Sequence, residues 1–109
     1  ELERPALAEL ARLDDAAFRQ KFSGSPIKRL GRDRFVRNVL VAVGNSADPE
    51  LAPVAEERLI DDAPLVRGMA VWALGRLAPE RLAARRHWQA AEADPEVAEE
   101  WARALAGDL

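Results

Sequence analysis

With 109 residues, 49% hydrophobic and 32% charged residues and a net charge of -3, the chain has room for one domain with a core, and its composition excludes a disordered chain. It contains no cysteine, which excludes disulfides and any Cys-ligated zinc or iron–sulfur site within these residues. No apolar run reaches transmembrane length and no signal peptide is visible, so no membrane partner is expected and the expected location is the cytoplasm.

The first residue is Glu1 and the pattern opens in mid-course, which reads as a piece of a longer protein. Pro5 suits the first turn of a short helix in which Leu7, Leu10 and Leu13 share a face. Asp14 or Asp15 caps a second helix over 16–22, with Phe18 and Phe22 as an i, i+4 pair. Gly24 reads as a left-handed C-cap, Pro26 pushes Ser25 into an extended conformation, and a loop runs over 23–31. A third helix is expected over 33–45, its apolar face made of Phe35, Val36, Val39, Leu40 and Val43. Asp48-Pro49 starts a fourth, through about residue 60, unless Pro53 moves the start later. Pro64 opens a helix to 77 and Pro79 one to about 91. Asp94-Pro95 opens the last, which ends near Gly107. No alternating β-branched run is bounded by turns, so the predicted fold class is all-α.

Charge is unevenly placed along this series. From Arg19 to Arg37 there are seven Lys/Arg against the single acid Asp33, on a chain that is acidic as a whole. An anionic partner is the simplest reason for such an island. Within the third helix Arg34, Arg37, Asn38 and Asn45 share a face opposite the apolar one. Arg32 and Arg34 stand where the helix macrodipole is positive, an arrangement unfavourable by roughly 0.3–1 kcal/mol per cation. A phosphate bound there would reverse that sign, because free N–H groups and guanidinium groups would converge on one anion.

The chain also repeats itself. Pro64-Leu65-Val66 followed by Ala73-Leu74 recurs, 31 residues on, as Pro95-Glu96-Val97 followed by Ala104-Leu105, and 36–44 matches 66–75 with one residue fewer. Helix pairs at this period are the mark of HEAT-like units, so a short solenoid of antiparallel helix pairs is expected, made of three imperfect copies. Arg67 and Arg76 then serve packing between repeats or salt bridges, Trp72 the core, and Trp88 and Trp101 core or edge packing, with base stacking the lesser alternative. Asp61-Asp62 and Glu99-Glu100 read as cap and solvated faces, and Arg85-Arg86 as a solvated helix face. His87 is the only histidine and has no cysteine to join it, so no metal site is expected. No Gly-rich phosphate motif, Ser/His/Asp set or carboxylate pair stands out, so the chain by itself is expected to be non-catalytic.

The string SGSPIKRLGRDRFVRNVLVAVGNS resembles the epoxyqueuosine reductases, which carry G-S/T-x-I-x-R, then R-N, then A-[LIV]-G-N. Gly24, Ser25, Ile27, Arg29, Arg37, Asn38, Gly44 and Asn45 match that pattern, and the resemblance runs from about residue 13 to 77. It implies a parent enzyme that reduces epoxyqueuosine to queuosine in tRNA with cobalamin and two [4Fe-4S] clusters. In that enzyme this chain is the C-terminal HEAT-like domain, with no cofactor of its own. The partners implied are a tRNA anticodon stem-loop and the upstream catalytic part of the same protein. Lys28, Arg29, Arg32, Arg34 and Arg37 are then expected on phosphates, Gly24 and Ser25 where backbone approaches closely, and Asn38 and Asn45 positioning the loop or bonding a base edge. The alternative is a HEAT-like protein-interaction scaffold whose basic ridge meets an acidic protein.

Overall fold

The computed structural model describes residues 3–106. Four helices pack in succession: α1 (Arg4–Ala11), α3 (Arg32–Asn45), α5 (Pro64–Leu77) and α8 (Pro95–Ala106). Each packs on the next, α1 on α3, α3 on α5 and α5 on α8. The last three begin at Arg32, Pro64 and Pro95, so the period read in the sequence is the spacing of neighbours in this row.

Shorter segments fill in behind the row. α2 (Asp15–Lys21) and a 3-10 turn, Pro26–Leu30, pack on α3. α4 (Ala52–Glu57) and the following 3-10 turn, Arg58–Ile60, pack on α5. α6 (Pro79–Ala83) packs on α5 and α8, and α7 (Trp88–Ala91) on α8. No strand occurs among the described residues, and the all-α expectation holds. The Cα atoms extend 47 × 29 × 15 Å, a thickness that accommodates two layers of helices.

The core follows from the row. Val36, Leu40 and Val43 of α3 meet Val66, Ala70, Val71, Ala73 and Leu74 of α5, and Val97 and Trp101 of α8 continue it. Because α5 is flanked by α3, α8, α4 and α6, it is apolar on nearly every side, whereas α3 keeps a polar stripe. Phe18, Phe22 and Phe35 form a second cluster, with ring centroids 4.9–5.4 Å apart, which seats α2 on the start of α3.

Three segments differ from the sequence expectation. The loop over 23–31 holds a 3-10 turn, opened by the Ser25 side chain accepting from the Ile27 N–H at 3.2 Å. The fourth helix takes the later of the two expected starts, Ala52, because Pro53 fits only a first turn, but it ends at Glu57, where the 3-10 turn Arg58–Ile60 replaces the helix expected to about 60. Pro49–Leu51 forms a 3-10 turn ahead of it, with Asp48 accepting from the Glu50 N–H. The stretch after Pro79 breaks at Ala83, and the i→i-3 bonds Arg85 to Leu82, Arg86 to Ala83 and Trp88 to Arg85 carry it to α7. Gly107, the expected end of the last helix, lies outside the described residues.

Candidate nucleic-acid interface

The basic stretch is built on a tight reversal between α2 and α3. The Ser25 N–H bonds the Phe22 carbonyl at 2.9 Å across Gly24, whose φ of +77° only glycine adopts without strain. The following 3-10 turn buries none of its residues: Lys28 and Arg29 are exposed, and so are Ile27 and Leu30. Gly31, at φ +86°, turns the chain into α3, and no side chain caps that helix start. Asn38 and Arg34 lie exposed on the solvent stripe of α3, and Arg37, half-buried beside them, donates to Asn38 Oδ1 at 3.2 Å.

Arg32 does not belong with these cations. Its guanidinium turns inward, leaving the side chain 10% exposed, and donates Nη2 and Nη1 to the two carboxylate oxygens of Asp61 at 2.6 and 2.9 Å. Nε donates to the Leu13 carbonyl at 2.8 Å, and Nη1 also reaches Asp33 at 3.2 Å. Burial alone would raise the Asp61 pKa, but the hydrogen bonds from Arg32 and the Ala63 N–H and the charges of Arg32 and Arg58 outweigh it, and the group ends below the ordinary carboxylate range. The Asp61 hydrogen bond likewise raises the pKa of Arg32. The expectation that Arg32 faces outward with the other cations is therefore corrected: a buried carboxylate 29 residues away outcompetes solvent for a bidentate guanidinium. Asn45 also stands apart. It is exposed at the far end of α3, about 16 Å along the axis from Arg34, beside Arg4, Ser46 and Asp48.

What remains is a set of cations outside the ion pairs. Among the described residues, Lys21, Lys28, Arg29, Arg34 and Arg37 form no ion pair, although Arg37 borders a groove that Asp94, Glu96 and Glu100 also line, and Arg34 one that Asp15 and Asp33 line; Asp33 itself bonds Arg32. Arginines elsewhere are tied down. Arg4 pairs with Asp48, Arg12 with Glu57, Arg67 with Glu92, Arg81 and Arg85 with Glu56, and Arg103 with Glu99 and Glu100. Arg76 donates to the Gly44 carbonyl at 3.1 Å and lies over the Trp72 ring. Of the packing or salt-bridge roles expected of them, Arg67 forms a salt bridge with Glu92 and Arg76 bonds α3 at the Gly44 carbonyl, whereas Arg85 bridges to Glu56 instead of being merely solvated.

Two residues escaped the sequence reading. Lys21 lies in the basic run, but its place on α2 put it outside the predicted loop and helix. Asp61 reads as a surface cap, yet its side chain is only 6% exposed. Its repeat signal was available: Asp61 and Glu92 are 31 residues apart, each accepts a backbone N–H two residues on, and each takes a bidentate arginine.

No group of three or more metal-ligating side chains occurs among the described residues, and without cysteine the chain offers no ligand set for an iron–sulfur cluster. No helix among them is long and apolar enough to cross a membrane.

No family model matches the chain, and no solved structure matches it. Curated relatives do. It is 38% identical over 77 residues, 70% of this chain, to the epoxyqueuosine reductase of Xanthomonas campestris, covering 22% of that protein. It is 27% identical over 106 residues, 96% of this chain, to the epoxyqueuosine reductase of Bacillus subtilis, covering 24% of it. A third relative, 30% identical over 81 residues, is an uncharacterized protein of Geobacillus stearothermophilus, of which 36% is covered. The chain thus spans about a fifth to a quarter of the length of the reductases it matches. Over that stretch, it belongs to the epoxyqueuosine reductase family.

Proposed function

We propose that this chain is the tRNA-holding part of an epoxyqueuosine reductase. In this reading the parent enzyme reduces epoxyqueuosine to queuosine in tRNA, and the cobalamin and [4Fe-4S] clusters that the family resemblance implies sit in the rest of that enzyme. The chain serves as its HEAT-like domain, a short solenoid of antiparallel helix pairs. The three helix starts one period apart support that architecture.

The observation that carries the functional reading is the group of unpaired cations between Lys21 and Arg37, on a protein whose other arginines are engaged. Cations not committed to ion pairs attract a polyanion, and their release of its counterions drives binding. Lys28, Arg29, Arg34 and Arg37 take phosphates of the anticodon stem-loop, and the uncapped start of α3 adds backbone N–H donors for one of them. Asn38, beside Arg37, meets a base edge or the loop backbone, while Gly24 and Ser25 let the turn approach closely. Asn45 is too far along α3 to share those contacts and meets a different part of the RNA. Ile27 and Leu30, exposed among the cations, suit contact with the catalytic part of the same protein.

If three to four phosphates are neutralised, log affinity falls against log salt with a slope of about -2 to -3 on a single-stranded loop. Arg37→Ala weakens binding to many RNAs alike and flattens the slope by about 0.7, whereas Asn38→Ala leaves the slope unchanged and lowers the preference for the cognate loop. Fluorescence anisotropy with a labelled anticodon stem-loop over a salt series reads both quantities. If the Arg34→Ala/Arg37→Ala variant keeps wild-type affinity and slope, the RNA reading is wrong. Binding that an acidic protein abolishes and excess RNA does not would favour the scaffold alternative.

A further inference from the structure

The turn that carries Lys28 and Arg29 buries no side chain of its own, so its position is set at its two ends. At one end Phe22 sits in the cluster with Phe18 and Phe35. At the other, Gly31 passes the chain directly to Arg32, whose guanidinium joins three separate segments. These are the α1–α2 junction at the Leu13 carbonyl, the start of α3 at Asp33, and the entry to α5 at Asp61. Asp61 is itself fixed, since its Oδ2 accepts from the Ala63 N–H at 3.0 Å.

A buried ion pair is poor evidence of a stability device, because well-packed apolar side chains often do as well in its place. An apolar pair cannot fix direction. A planar guanidinium held through Nε, Nη1 and Nη2 has one orientation, and so has the backbone attached to it. The next junction repeats the device with Arg67 and Glu92, but there no unpaired cations lie next to the arginine in sequence.

We infer that Arg32 is a positioning residue of the RNA site: clamped to Asp61 and the Leu13 carbonyl, it holds the turn so that Lys28 and Arg29 act together with Arg34 and Arg37, and it does not touch the RNA. The inference rests on the RNA reading proposed above. Pre-set cations lose little freedom on binding, and a loosened turn must be ordered at the expense of affinity.

The test exploits a difference in sign. Asp61→Asn removes a negative charge and keeps an acceptor for the Ala63 N–H. Simple electrostatics predicts that this more cationic protein binds a labelled anticodon stem-loop more tightly. The clamp predicts the reverse, weaker binding by about tenfold, with the salt slope unchanged because the same phosphates are neutralised. Hydrogen exchange would speed up at the Lys28 and Gly31 amides, which bond the Ser25 and Lys28 carbonyls, while α5 and α8 stay protected. The double variant Arg32→Met/Asp61→Leu, which keeps the site filled, would show the same loss of affinity and the same local exchange, and so guards against misfolding of the single variant.

Unchanged or tighter binding by Asp61→Asn in a folded protein overturns the inference. So does a slope flattened by about 0.7 in the double variant, which would mean that Arg32 itself held a phosphate. A wild-type slope and affinity in Arg34→Ala/Arg37→Ala would overturn the RNA reading and this inference together. Lowered affinity and a flattened slope in that control, together with an unaffected Asp61→Asn, remove only the positioning role.

Discussion

Gly44 shows at the level of one residue how neighbouring helices in the row are keyed together. The Trp72 indole of α5 lies against it so closely that a Cβ added there would overlap Cζ3 and stand 3.0 Å from Cε3 and Cη2. Arg76 also lies over the ring, with its guanidinium carbon 5.3 Å from the centroid and its Nε bonded to the Gly44 carbonyl. Two effects oppose each other in Gly44→Ala. Helix propensity favours alanine by up to about 1 kcal/mol. The steric overlap, with an indole that Arg76 holds in place, costs about 1–3 kcal/mol or more. The overlap should win, giving a net loss in urea denaturation that Trp72→Phe in the same chain partly restores. A Gly44→Ala protein as stable as the parent would refute this keying.

At the scale of elements, helix starts were the most legible feature, because each is made within three residues. Asp14 accepts from the Ala17 N–H at 2.8 Å, and Asp94 from the Glu96 and Val97 N–H groups at 2.9 and 3.1 Å ahead of α8. Asp94→Ala should therefore cost about 1 kcal/mol, within a range of roughly 0.5–2, while Asp94→Asn should cost little. Denaturant midpoints of the two variants compare the caps directly; equal losses would mean that charge, and not the acceptor, matters at this position. Helix ends and breaks were less legible. Nothing local announces that the helix opened by Pro79 stops at Ala83, where Arg85 reaches across to Glu56 and over the Trp88 ring instead of continuing a regular turn.

Across the whole molecule, arginine–carboxylate pairs cross from one part of the row to the next. Arg4–Asp48 and Arg12–Glu57 join α1 and the turn after it to the α4 region, Arg32–Asp61 joins α3 to the entry of α5, and Arg67–Glu92 joins α5 to the entry of α8. The partner hydrogen bond depresses the carboxylate pKa at Glu57, Asp48 and Glu92, and Asp61 is depressed despite its burial. A carboxylate whose folded pKa lies below its unfolded value, about 4, stabilises the fold above that value and loses this contribution as pH falls through the folded one. Thermal stability should be level from pH 7 to about 5 and decline steeply below about pH 4. A melting temperature constant between pH 5 and pH 3 would show that these pairs do not couple to folding. In Asp61→Asn the decline should be shallower, because one depressed group is gone.

The all-α class, the prolines and aspartates that open helices, the period of the row and the location of the basic run were all determined by the sequence itself. Each rests on neighbours within one or two turns or on recurrence along the chain, and such relations survive without coordinates. Which cations face solvent was decided only by the tertiary structure. Arg32 and Arg34 are two residues apart and equally basic on paper, yet one is bidentate on a buried carboxylate 29 residues away and the other forms no ion pair among the described residues. Gly44 likewise reads as part of a motif until Trp72, 28 residues on, arrives against it. Ion pairs and close approaches of this kind join residues remote in sequence, and no local pattern encodes which partner will be in reach once the helices are packed.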